Sequence, residues 1–108
     1  MRPICLIEMD RVRPALLPTR EAVRAERTLV TVAPISSMVR GLSTEVALGP
    51  ANGLDHACVA SMDNITTVPV SRIMKTIGYL LDHQETALAQ AVVFAFDLGV
   101  PLDIENLG

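Results

Sequence analysis

The sequence predicts an α+β fold, mostly β: a small barrel-like set of short strands with helical additions, the main one at the C-terminus. Three observations carry this. Short aliphatic runs rich in β-branched residues recur through the first eighty positions, separated by Gly, Pro, Asn and Asp turn signals. After Asp82 the apolar spacing changes to a helical period. The 108 residues suit one domain, residues 1–108, and half of them are hydrophobic, enough for one modest core. With one Tyr, two Phe and no Trp, that core must be aliphatic.

The elements follow in order. Arg2 to Met9 reads as a first strand, Asp10-Arg11-Val12 as a tight connection, and Arg13 to Thr19 as the returning strand of a hairpin. Pro14 stands at its start, where a missing N–H is tolerated, and Pro18 ends or bends it. Residues 19–27 are polar and Ala-containing, giving one or two helical turns capped by Thr19, or a charged loop. Thr28 to Ile35 and Leu42 to Leu48 read as strands, and Gly49 to Gly53 as a turn. Ala57 to Ser61 and Ile65 to Val70 are short strands flanking Asp63-Asn64. Ser71 to Met74 forms a single turn before a last strand, Lys75 to Leu80.

The closing helix has Asp82 as its expected N-cap, with Glu85 three residues on in a capping-box arrangement. Leu88, Ala91, Val92, Ala95 and Phe96 fall on one face, and Gly99 and Pro101 supply stop signals. Ala89, Val93 and Phe94 make the other sides apolar too, which favours a subunit contact over burial in so small a protein.

Net charge is −3, which argues against a general nucleic-acid coat. The charge is uneven, however. Residues 1–40 hold seven Arg against four acids, and residues 41–108 hold two basic residues against eight acids. A local basic patch on an acidic protein is compatible with that split, as is scattered surface charge. Cys5 and Cys58 sit in apolar runs and read as buried thiols, with no metal-type spacing. No apolar run is long enough to cross a membrane, so a cytoplasmic protein is expected.

The stretch from Leu29 to Val46 organises the rest. A β-branched run reaches Ile35, broken only by Pro34, and two hydroxyls follow at Ser36 and Ser37. Arg40-Gly41 then makes a basic turn before Thr44-Glu45-Val46. Because Pro34 cannot donate to a ladder, this strand is expected to run along an edge or end there. The hydroxyls then leave the sheet where pairing stops, which suits a binding surface.

This pattern resembles the MazF/PemK family of toxin endoribonucleases: a strand ending in A/V-P-x-[ST]-[ST], a basic-glycine turn and a strand containing T-E-V. Arg13-Pro14-Ala15-Leu16-Leu17 is similar to the family's R-P-[AV]-[VL]-[VL] strand. Gly53-Leu54 with Val59 to Ile65 resembles its G-L … V … D-Q-I segment, and Ile77-Gly78-Tyr79-Leu80 before a helix resembles its ending. The matches come in family order over about residues 3 to 100. The resemblance implies an SH3-like barrel and an endoribonuclease of a toxin–antitoxin pair. It also implies a homodimer, single-stranded RNA as substrate and an acidic antitoxin that folds on binding.

RNA carries its own nucleophile, the 2′-OH, so such an enzyme needs no metal or other cofactor. It must stabilise charge on phosphorus, for which a guanidinium fork and hydroxyl donors are suited. The family's catalytic pair is the arginine of R-P and the first hydroxyl after A/V-P-x, which fall here on Arg13 and Ser36. Without the resemblance, Arg13 would read as a solvated hairpin residue and Ser36 as a strand-end cap. Ser37, Arg20, Arg40, Asp63 and Asn64 are candidates for substrate contacts. Asp63-Asn64 reads equally as a plain turn. His56 and His83 read as surface residues.

Two departures from the family pattern stand out. Its long loop between the first two strands shrinks here to Asp10-Arg11-Val12, and residues Leu102 to Gly108 run past its usual end. The competing readings are a gyrase-poisoning toxin of the same fold, like CcdB, and a catalytically silent binding module. The former acts through a Trp-containing C-terminal motif, and this chain has no Trp.

Overall fold

A computed structural model describes residues 2–18 and 28–97. The segment 19–27 with its Thr19 cap, the stop signals Gly99 and Pro101, and the tail from Leu102 to Gly108 lie outside the described residues.

Among the described residues, seven strands form one curled, half-barrel sheet, followed by one helix. They are β1 (Pro3–Glu8), β2 (Val12–Leu16), β3 (Leu29–Ser36), β4 (Glu45–Leu48), β5 (Cys58–Ser61), β6 (Thr66–Pro69) and β7 (Ile73–Tyr79), and the helix α1 spans Glu85–Ala95. The spatial order is β4-β5-β3-β2-β1-β7, with β6 also on β3. The mostly-β expectation with a C-terminal helix holds.

β3 is central and continues two residues past Pro34 to Ser36, which corrects the expectation that it runs along an edge or ends at the proline. Its first half pairs with β6, Leu29 opposite Pro69 to Val32 opposite Thr66. Its end pairs with β5, Ile35 opposite Ala60 and Ser36 opposite Val59. Pro34 falls at the handover, where neither β6 nor β5 is in register with it. It faces Ala15 of β2. Pro14 is placed by the same logic: it pairs with Leu6 of β1, one residue before the β2–β3 ladder starts at Ala15. A missing N–H is tolerated where a ladder is absent.

Both faces of the sheet bury apolar side chains. Ile4, Leu16, Ala33, Val46 and Ala60 join one core, which Leu88 and Ala91 of α1 cover. Cys5, Ile7, Ala15, Leu17, Val30 and Val32 form the second. Successive residues Ile4 and Cys5 therefore point into different cores. That explains why β1 reads as a continuous apolar run instead of an alternation. Cys5 and Cys58 are buried free thiols as expected, and burial pushes the Cys58 thiol up.

Several boundaries shift for physical reasons. β4 starts at Glu45 and not at Leu42, because the Glu45 carboxylate accepts from the backbone N–H of Arg40 (3.2 Å) and of Leu42 (3.0 Å). Gly41, at φ +72°, permits the reversal this needs. Asp82 is not the helix cap. Residues Asp82–Gln84 form a 3₁₀ turn, and Gln84 Oε1 accepts from the Leu81 N–H at 2.9 Å. Glu85 is committed elsewhere, holding the Arg2 guanidinium at 2.9 Å. Phe96 does not join the core face; it is 56% exposed, and Phe94 is 58% exposed.

A buried amide fastens the far end. Asn52, 1% exposed, accepts from the Gly49 N–H (3.1 Å) and donates to Tyr79 O (2.9 Å) and Gln84 Oε1 (2.7 Å). Gln84 returns a hydrogen bond to Asn52 Oδ1 at 3.2 Å. The turn before β5, the end of β7 and the start of the helical segment thus share one network. The backbones come so close there that a Cβ on Gly78 would stand 1.8 Å from Asn52 O.

Candidate active site

The β1–β2 hairpin and the end of β3 build the site. β2 and β3 run antiparallel with Leu16 opposite Ala33 and Ala15 opposite Pro34. Continuing that register two residues sets Arg13 opposite Ser36. Directly opposed residues share a face, so that extended register would aim both side chains to the same side of the sheet.

Arg13 is held by Asp10. Its Nε donates to Asp10 Oδ1 at 3.0 Å and its Nη2 to Oδ2 at 2.9 Å, a two-pronged fork across the turn. Asp10 also accepts from the Arg11 N–H at 3.0 Å. The hydrogen bonds from Arg13 hold the Asp10 carboxyl below the usual carboxylate range, and the same contact raises the guanidinium further. Arg13 is therefore a fixed cation and no proton acceptor. Among the described residues, Nη1 has no hydrogen-bond partner.

Ser36 Oγ accepts from the Met38 N–H at 3.0 Å. An acceptor bond leaves the hydroxyl proton available to donate. Ser36, Arg40, Asp63 and Asn64 line one polar recess of about 190 Å³, so four of the sequence candidates come together. Asp63 and Asn64 occupy a 3₁₀ turn, Met62–Asn64, and not a strand. Asp63 Oδ2 accepts from Thr44 Oγ1 at 2.6 Å, and Asn64 Nδ2 donates to Ser61 Oγ at 3.4 Å. Arg40 leans on Met38 Sδ at 3.6 Å.

Three candidates stand apart. Arg13 does not line that recess. Ser37 lines a different and larger cavity on the opposite side of β3, together with Lys75 and His56. Arg20 lies outside the described residues.

Asp10 and Glu45 were missed as site residues. Asp10 was detectable as an opposite charge three residues from Arg13 across a tight hairpin. Glu45 offered no local signal, since its partners are backbone groups of the preceding loop. His56 is exposed, as its surface reading expects, and nothing in the sequence places it or Lys75 beside Ser37.

The same arrangement can be set beside known proteins. A family model described as the PemK-like, MazF-like toxin of type II toxin–antitoxin systems matches residues 7–96. The chain is 53% identical over 98 residues to Endoribonuclease MazF3 of Mycobacterium tuberculosis, spanning 91% of this chain and 95% of that protein. Among solved structures, it matches the Mycobacterium tuberculosis toxin MazF-mt6 with a TM-score of 0.88 and 52% identity, over 92% of this chain and 100% of that one. A mycobacterial endoribonuclease in complex with its cognate antitoxin shares the fold, with a TM-score of 0.81 at 21% identity over 92% of this chain and 95% of that one.

Proposed function

Because the chain belongs to the PemK-like, MazF-like toxin family of type II toxin–antitoxin systems and is an endoribonuclease, we propose that it cuts single-stranded RNA sequence-selectively with Arg13 and Ser36 as its catalytic pair. The observation that supports this is the two-pronged grip of Asp10 on the Arg13 guanidinium, on a strand whose register with β3, extended past Ala15 and Pro34, would run to Ser36.

The ribose 2′-oxygen attacks the adjacent phosphorus and the 5′-oxygen leaves. One proton departs from the 2′-OH and one arrives at the 5′-oxygen, giving a 2′,3′-cyclic phosphate and a 5′-hydroxyl. Negative charge grows on the non-bridging oxygens in between. The Arg13 guanidinium and the Ser36 hydroxyl would meet that charge as preorganised donors, with no metal required. Arg40, Asp63 and Asn64 contact the flanking substrate from the recess beside Ser36, and Arg20 is a further candidate contact.

The active species is a homodimer, supported by Phe94 and Phe96 standing exposed on and just after α1. Its inhibitor is an acidic antitoxin segment that folds on binding. Arg11, Arg13 and Arg40 offer such a segment the cations that RNA phosphates would use, so antitoxin and RNA exclude one another. Added salt weakens the charged part of both contacts.

A labelled single-stranded RNA incubated with the protein in EDTA tests the reading. Cleavage should persist and leave a 5′-hydroxyl, and a 2′-deoxy substitution at the cut site should block it. A strict divalent-metal requirement would sink the mechanism, and DNA-gyrase trapping without RNA cleavage would favour the gyrase-poisoning reading.

A further inference from the structure

The cavity beyond Ser37 has a volume of about 480 Å³, within the size range of ligand pockets. Its floor is a row across four strands. Lys75 of β7 faces Leu6 of β1, and Leu6 faces Pro14 of β2. The β2–β3 register, continued one residue, sets Pro14 opposite Ile35. Leu6, Pro14 and Ile35 are half-buried, and Ser37, Asp55, His56 and Lys75 stand exposed around them. An apolar floor with a polar, charged rim is thus built by strand register and not by a loose loop.

We propose that this cavity is a base-recognition subsite. It takes one unpaired nucleobase bearing an exocyclic amino group, from a nucleotide next to the cleaved phosphate. The inference rests on the endoribonuclease reading and names where that enzyme reads its substrate.

Continuity with the catalytic residues carries the assignment. Ser36 and Ser37 are successive, and the two line different recesses: Ser36 the polar one, Ser37 this cavity. A strand of RNA whose phosphate rests at Ser36 has only the tip of β3 to cross before its next base reaches Ser37. The cavity's chemistry then matches a base. Its apolar floor takes the flat face, as unstacked RNA bases seek such a surface. The rim supplies partners for the polar edge. A carboxylate accepts and cannot donate, so Asp55 selects an amino group, present on cytosine, adenine and guanine and absent from uracil. Lys75 is one of only two basic residues in positions 41–108, yet it stands at this rim, where a neighbouring phosphate would pass. An apolar side chain of an antitoxin would use the floor and leave Asp55, His56 and Lys75 without partners.

Cleavage of a randomised single-stranded RNA pool, with sequencing of the new 5′ ends, tests this. The wild type should prefer amino-bearing bases over uridine at one position near the cut. Asp55→Ala should lower that preference roughly tenfold and leave other positions unchanged. His56→Ala should relax the same position. Lys75→Met should weaken all sequences alike and reduce the salt dependence by about one phosphate contact. Leu54→Phe, narrowing the cavity from a wall residue, should disfavour purines there. If the wild type cleaves and the Asp55 and His56 variants keep its full sequence preference, the subsite is refuted while the nuclease stands. Variants that lose antitoxin peptide binding and keep the RNA preference would assign the cavity to the inhibitor and overturn the proposal. A wild type that cleaves no RNA overturns the parent reading and this one with it.

Discussion

Ala15 of β2 faces Pro34 of β3, and that register, extended two residues past this last pair, would set Arg13 against Ser36. A one-residue slip in that register would send the two side chains to opposite faces and dissolve the pair. Two short ladders and the placement of two prolines therefore hold the candidate chemistry together.

Arg13→Ala is expected to abolish cleavage of labelled RNA with little change in melting temperature. Arg13 sits at the rim of the sheet with its side chain 38% exposed, and such substitutions usually stay within about 0.5 kcal/mol. Arg13→Lys should recover only part of the activity. An ammonium keeps the charge but cannot hold Asp10 with one edge and phosphate with another. A wild-type rate from Arg13→Ala would refute the catalytic assignment.

Ser36→Ala is expected to lower the rate by about 10²–10³, the loss seen when one oxyanion donor is removed. It also deletes the acceptor for the Met38 N–H, so part of the loss could reflect a displaced loop. Ser36→Thr separates the two effects. It keeps the hydroxyl, and near-wild-type cleavage by that variant would tie the loss to the donor itself.

Much of this was legible before the structure. The seven strands appear close to where aliphatic runs and turn signals put them, because turn chemistry is local. The role of Pro34 was not. A proline rules out one hydrogen bond, and whether that makes an edge depends on which strand sits opposite, a tertiary fact. Ser36 and Ser37 read as one hydroxyl pair, yet period-2 alternation sends them to different recesses. Asn52 read as an ordinary turn residue in Gly49 to Gly53. Its partners, Tyr79 and Gln84, are far away in sequence, and no short-range pattern announces them.

Asp10→Asn is expected to reduce cleavage by loosening Arg13, with the larger effect on kcat if the guanidinium must be preorganised. The contact with Arg13 lowers the Asp10 carboxyl below the usual carboxylate range. The ion pair is thus fully present above the unfolded-state value and is lost only as pH falls through the lowered one. Between pH 5 and 8 it should add no titration to the rate profile. Asp10→Asn should then lower the curve across that range and leave its shape unchanged. An inflection that vanishes in the variant would show that Asp10 titrates in the working range after all.

Phe94→Glu and Phe96→Glu, together, are expected to shift sedimentation from dimer towards monomer. Both rings are more than half exposed, an unusual placement for two of only three aromatic side chains in the protein. A two-fold dimer would bring equivalent patches together and cover them. The substitutions touch no core position, so circular dichroism should be unchanged. A wild type that sediments as a monomer at micromolar concentration would remove the basis for the dimer.

Asn52→Leu is expected to destabilise the protein more than any surface change and to do so without touching the catalytic residues. The substitution fits the volume of the site poorly, and it strips partners from Tyr79 O, the Gln84 amide and the Gly49 N–H at once. Each buried polar group left unpaired costs about 1–3 kcal/mol. The total would reach a large share of the 5–15 kcal/mol typical of a domain. Asn52→Asp should cost no less: it keeps the acceptor for Gly49 but sets a buried carboxylate oxygen against Tyr79 O and Gln84 Oε1, which accept and cannot donate to it. Gly78→Ala should resemble Asn52→Leu, because the added Cβ would meet Asn52 O at 1.8 Å and force the two backbones apart. The ordering to look for in urea midpoints is wild type well above Asn52→Asp, Asn52→Leu and Gly78→Ala. Equal midpoints for the wild type and Asn52→Leu would mean that the network only accompanies the close packing of Gly53 and Gly78 and does not hold it.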